Sequence, residues 1–198
     1  MNEQDWHDLE SRRIDYVAGS ESLTKLIFPG TFLPFHKGHL TIQKIAEEKI
    51  EVPVTFEISI CNVEKALLSY YEIEKILGQF RSGHNWVLTN APTFVEKAAI
   101  FKESTFVLGM DTLIRIFDPK FYASEKVMRL ELNVFIENDI RFVVFGRQVG
   151  SQFMTLNDSL FLKNSRIASL VLQKQNSEKM SVRLPSREKK RTELQLDL

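Results

Sequence analysis

His36-Lys37-Gly38-His39 places two imidazoles and an ammonium group within four consecutive residues, just after a turn that begins at Gly30 and contains Pro34. An apolar run, Leu26-Ile27-Phe28, precedes the turn, while Leu40, Ile42, Ile45 and Ala46 recur at helical spacing after it. The pattern predicts a strand, a glycine turn and the start of an amphipathic helix. Main-chain N–H groups at a helix start lack intrahelical partners and sit at the positive end of the helix dipole. Imidazole and ammonium groups added there suit phosphate, so a nucleotide is the ligand to expect. Phosphoryl-type transfer needs positioning and charge stabilisation more than a protein nucleophile. Two other readings of the histidines stay open on these residues alone. A pair three apart on a helix can bind a metal, although no acidic or sulfur partner stands nearby in sequence, or the helix start merely contains two histidines.

The elements that must position this turn alternate along the chain. Leu23 to Phe28, Val54 to Ile60, Trp86 to Thr89, Thr105 to Gly109 and Phe142 to Phe145 read as strands. Between them, helical patterns run over His36–Ile50, Tyr70–Phe80, Val95–Phe101, the residues after Asp111 through Ile116, and Ser124–Glu137. Pro53 stops the first helix, Gly83 the second, and Thr93 is an N-cap for the third. Strands apolar on both faces and separated by helices imply a parallel sheet covered on both sides. The expectation is an α/β, Rossmann-like doubly wound sheet of about five strands, with ligands beyond the strands' C-terminal ends. Residues 1–22 read as a short helix or loosely attached arm, and 23–198 as one domain whose last part, 154–198, is less regular.

Bulk properties narrow the partners. A chain of 198 residues with 43% hydrophobic content can bury one α/β core. Its 26 basic and 26 acidic residues supply no long-range field to recruit nucleic acid or a membrane surface. Cys61, the only cysteine, excludes an intrachain disulfide and a multi-thiolate zinc site. Polar residues such as Asp5, Asp8, Glu10, Arg12 and Arg13 leave no room for a secretory signal at the start, and no apolar run is long enough to cross a bilayer. A cytoplasmic location is the expectation.

Gly30-Thr31-Phe32, Pro34 and His36-Lys37-Gly38-His39, in this order within fifteen residues, resemble the nucleotidyltransferase superfamily that carries a His-x-Gly-His signature. Within it the chain is most similar to nicotinamide mononucleotide adenylyltransferase-like proteins, through Glu57-Ile58-Ser59-Ile60-Cys61-Asn62 with Lys65, Gly109-Met110-Asp111, and Gly146-Arg147. The likeness spans roughly residues 25 to 150. It implies that His36 and His39 are catalytic, contacting the triphosphate and stabilising charge as the α-phosphorus is attacked. Gly30, Thr31, Phe32, Lys37 and Gly38 would then bind ATP, and Asn62, Lys65, Trp86 and Asp111 the acceptor. For Trp86, as for Phe94, stacking on a ligand ring competes with a place in the core. Asp111 could equally cap its helix.

The family's second signature, Ile-Ser-Ser-Thr-x-x-Arg, has its nearest match at Leu184-Pro185-Ser186-Arg187-Glu188-Lys189-Lys190. There only Ser186 is retained and Lys190 stands for the arginine; both would grip the β- and γ-phosphates. The implied reaction transfers AMP from ATP to a phosphorylated small molecule, nicotinamide mononucleotide by resemblance, and releases pyrophosphate. Mg²⁺ would travel with the nucleotide, with no metal site of the protein's own. Cytidylyltransferase and pantetheine-phosphate adenylyltransferase chemistry share the first signature. A catalytically weak nucleotide-binding regulatory module is the reading of another class. The partners implied are small molecules, without nucleic acid or membrane, and self-association into a homo-oligomer is left open.

Overall fold

The computed structural model describes residues 1–19, 23–62, 66–80, 83–149, 152–154 and 181–182. Five strands, β2 (Leu26–Pro29), β3 (Val54–Ser59), β4 (Asn85–Thr89), β5 (Thr105–Gly109) and β6 (Arg141–Phe145), pair in parallel in the order β4-β3-β2-β5-β6. Two short strands extend this sheet to seven: β1 (Tyr16–Ala18), antiparallel to β4, and β9 (Ser181–Val182), parallel to β6. Strands β7 (Arg147–Val149) and β8 (Gln152–Met154) form a separate antiparallel pair. The chain builds outward from β2 to β4 and then returns to the other side of β2. Strand order therefore reverses between β2 and β5, the position where open α/β sheets leave a crevice for ligands.

Alternation along the strands splits the core into two layers. Leu26, Phe28, Phe56, Ile58, Leu88, Val107 and Val143 face one side, with Ala46 of α2 (Lys37–Ile50), Ile73 and Ile76 of α3 (Tyr70–Leu77), and Leu9 of α1 (Glu3–Glu10). Ile27, Val87, Phe106, Leu108, Phe142 and Val144 face the other. They meet Ala98 of α4 (Phe94–Ile100), Leu113 of α5 (Met110–Ile116), Met128 and Leu132 of α6 (Glu125–Leu132), and Phe135 of α7 (Val134–Glu137). Both faces are covered, as continuous apolar strands require. Capping boxes at Asn2/Asp5, Ser69/Glu72 and Thr93/Glu96 start α1, α3 and α4 by satisfying otherwise unpaired N–H groups.

Several expected boundaries shift. Helix α3 ends at Leu77 with Gly78 as its C-cap, ahead of Gly83, whose φ of 103° places it in a separate turn. The single helix expected over Ser124–Glu137 is two, divided at Asn133. Residues near the N-terminus are not a loose arm. Leu9 is fully buried, Tyr16–Ala18 join the sheet, and Asn90 Nδ2 donates to the carbonyls of Leu9 (3.2 Å) and Glu10 (3.0 Å). Among the described residues, no helix is long and apolar enough to cross a membrane.

Candidate functional site

The Gly30–His39 segment leaves β2 at the reversal point, and its geometry follows from main-chain groups that need partners. Gly30 N–H donates to the carbonyl of Glu57 at 2.9 Å, tying the turn to β3. Its lack of a side chain is required, because a Cβ there would lie 2.6 Å from Cζ of the Phe32 ring. His36 is the N-cap of α2. Its Nδ1 accepts from the N–H of Gly38 at 3.1 Å, and His39 Nδ1 accepts from the N–H of His36 at 3.2 Å. The arrangement is a capping box built from imidazoles in place of a hydroxyl and a carboxylate. Gly38 also has to be glycine for the His36 ring to fold over the helix start, since a Cβ would stand 2.9 Å from Cε1.

This capping decides the chemistry of the pair. A ring nitrogen that accepts must hold a lone pair, so the network assigns both protons to Nε2. The rings stack at 3.8 Å between centroids with planes 17° apart. Phe28, Phe32 and Phe35 surround His39, the last stacked on it at 5.5 Å. Burial, and secondarily the neighbouring His36, lower the pKa of His39 to about 4. The site at rest therefore holds a neutral His39 against a wall of phenylalanines, with Nε2–H turned away from the cap. A metal would have to displace the ring proton or break the cap, and among the described residues no group of three His, Cys, Asp or Glu could hold one.

Other expected site residues fall into three groups. Thr31 and Asn62 come together, lining one cavity of about 100 Å³ with Leu33, Ser59, Ile60, Ala66, Leu68 and Ile76. Asp111 lies in the first turn of α5, directly after β5, the neighbour of β2, and its carboxylate folds back over Gly109. It is not the N-cap, a position held by Gly109 without a side-chain bond. Lys37 is exposed and lines a different hollow of about 540 Å³, with Leu40, Thr41, Lys44, Ile45 and Glu48 along α2.

Two of the expected residues have their rings engaged in packing. The Phe32 ring is only 1% exposed and packs on Phe28, Phe56 and Phe80, so it supports His39 and presents no face to a ligand. Trp86 lies two strands from β2, and its indole covers Gly19, where a Cβ would stand 2.1 Å from the ring. That contact occupies Trp86 at the β1 edge, away from Thr31 and Asn62. Phe94 likewise belongs to the core, edge-on to Phe106 at 5.7 Å. Lys65, Ser186 and Lys190 lie outside the described residues.

Two groups carry polar interactions at this end of the sheet that local patterns do not reveal. Glu57 Oε1 accepts from Lys97 Nζ at 2.7 Å and from Thr89 Oγ1 at 2.5 Å, and Lys97 Nζ also donates to the carbonyl of Ala91 at 2.6 Å. This buried network binds β3, β4 and α4 together. Gln79, just past α3, accepts from the N–H of Phe35 at 2.9 Å and donates to the carbonyl of Phe32 at 3.1 Å. The only sequence signals were a glutamate and a lysine in otherwise apolar stretches; Gln79 has none. No family model matches this chain, and no curated protein matches its sequence.

Proposed function

We propose that this protein is a nucleotidyltransferase that passes AMP from ATP to a phosphorylated small molecule, nicotinamide mononucleotide, with release of pyrophosphate. The observation that carries the reading is the pair of stacked imidazoles at the start of α2. Both use Nδ1 to cap the helix and so turn Nε2–H into the available donor, beside the strand-order reversal. An acceptor phosphate oxygen attacks the α-phosphorus in line, the bond to the bridging oxygen breaks, and pyrophosphate departs. His39 and His36 donate to the oxygens on which charge accumulates. The positive end of the α2 dipole adds to the same field. Magnesium carried by the triphosphate would supply charge neutralisation for the leaving group, with no ligand from the protein needed in this reading. Thr31 and Asn62 share a cavity that suits part of a substrate, and Asp111, in the first turn of α5, is assigned to the acceptor.

The aromatic wall has a chemical consequence here. A neutral His39 avoids repelling its neighbour while the site is empty, and an arriving polyanion raises its proton affinity. Incubation with ATP, Mg²⁺ and nicotinamide mononucleotide should give NAD and pyrophosphate in equal amounts, and His39→Ala should slow both about 100- to 1000-fold. Product formation at an undiminished rate in His39→Ala would refute the assignment. CTP and other phosphorylated acceptors, screened by thermal shift, discriminate the related chemistries. Tight ATP binding without any product would instead identify a nucleotide-binding module, the reading favoured by Pro185 and Arg187 in the second signature.

A further inference from the structure

Phe32 adopts φ 47°, in the left-handed region that a bulky aromatic residue rarely enters. Such a conformation persists only where surrounding contacts over-determine it. Here the ring is locked among phenylalanines on one side, while the main chain is locked by a single side chain, that of Gln79. Its amide uses both ends: Oε1 takes the N–H of Phe35, and Nε2 gives to the carbonyls of Phe32 and, at 3.5 Å, Lys75. The amide orientation is fixed, because a main-chain N–H needs the oxygen and two carbonyls need the nitrogen. Phe35, whose N–H is held this way, immediately precedes His36 and stacks on His39. One turn earlier, Ile76 of the same segment walls the cavity that Thr31 and Asn62 line.

We infer that Gln79 is a positioning residue: its amide clamps the strained 32–35 segment and thereby sets the register of the His36 and His39 rings. The inference deepens the proposed nucleotidyl-transfer reading, but the clamp itself can be tested without it. In the full chain, Gln79→Leu removes both hydrogen bonds at nearly constant size. Ring resonances of His36 and His39 should move while that of His7, on α1, stays in place. ATP affinity should fall about tenfold, and turnover with it. Gln79→Glu supplies a sharper probe. When protonated, the introduced carboxyl keeps one acceptor and one donor, reproducing the clamp; when ionised it turns lone pairs toward two carbonyls. Its ring resonances should match the parent while the carboxyl is protonated and diverge once it ionises, at a pH above the ordinary value of about 4.3 because two carbonyls oppose the charge, whereas Gln79→Leu differs at every pH.

Unmoved His36 and His39 resonances in Gln79→Leu would overturn the inference, as would a pH-independent difference between Gln79→Glu and the parent. Should Gln79→Leu fail to fold, the pH comparison in Gln79→Glu decides alone. A parent chain that binds no ATP would sink the nucleotidyl reading and leave the resonance comparison to judge the clamp.

Discussion

Two polar ensembles sit at the C-terminal ends of adjacent strands, and they handle their hydrogen bonds in opposite ways. After β2, His36 and His39 direct one nitrogen each into main-chain capping and keep the other for a ligand. On β3, Glu57 is wholly buried, and its bonded oxygen is engaged by Lys97 and Thr89. Burying an ion pair is expensive, and apolar residues of the same volume would serve stability as well. What the pair supplies is fixed geometry, joining β3, β4 and the start of α4 beneath the turn. The exposed ensemble is built to act; the buried one, in which Glu57 Oε2 has no hydrogen-bond partner among the described residues, is built to hold.

That contrast can be broken at several points. Lys97→Met should have the largest effect on the fold, about 3–5 kcal/mol of lost stability, because it strands the Glu57 carboxylate without its cation. Adding Glu57→Leu should restore most of it, and chemical denaturation of the three variants makes the comparison. His39→Ala should do the reverse: turnover falls about 100- to 1000-fold, the scale of one lost oxyanion donor, with the melting transition nearly retained. Gly38→Ala sharpens the division further. A Cβ 2.9 Å from the His36 ring must push it aside, so nucleotide affinity should fall about tenfold by calorimetry. Helix propensity favours alanine by about 0.5–1 kcal/mol while loss of the His36 cap costs about as much, so stability should change by no more than about 1 kcal/mol.

The last test concerns pH. Folded His39 titrates near 4, below an unfolded value near 6.5, so between those values the unfolded chain binds more protons. Stability should decline as the pH drops from about 6.5 toward 4 and level off beneath it. His39→Gln should flatten that segment of a melting-temperature profile, whereas the Glu57 and Lys97 variants should leave its slope in place.

Local pattern made most of the fold legible. Strands β2 to β6 emerge as apolar runs, Thr93 caps α4 as its type suggests, and the glycine turn leads into α2 where the periodicity begins. Long-range pairing was not legible. Tyr16-Val17-Ala18 is too short to show a period, and its partner strand lies some seventy residues on. Nor can a sequence show that Lys97 reaches Glu57 or that Gln79 reaches back to Phe32, because those contacts exist only after the sheet assembles. For Trp86 the sequence left ligand stacking and a core place both open, and only the assembled sheet packs its ring over Gly19 and against the core.

Strand β1 has a practical consequence. By covering the flank of β4, Tyr16–Ala18 occupy main-chain groups that would otherwise offer a ready template to another polypeptide. Deleting the first nineteen residues would therefore trade a covered border for an adhesive one, and clumping on storage would betray it.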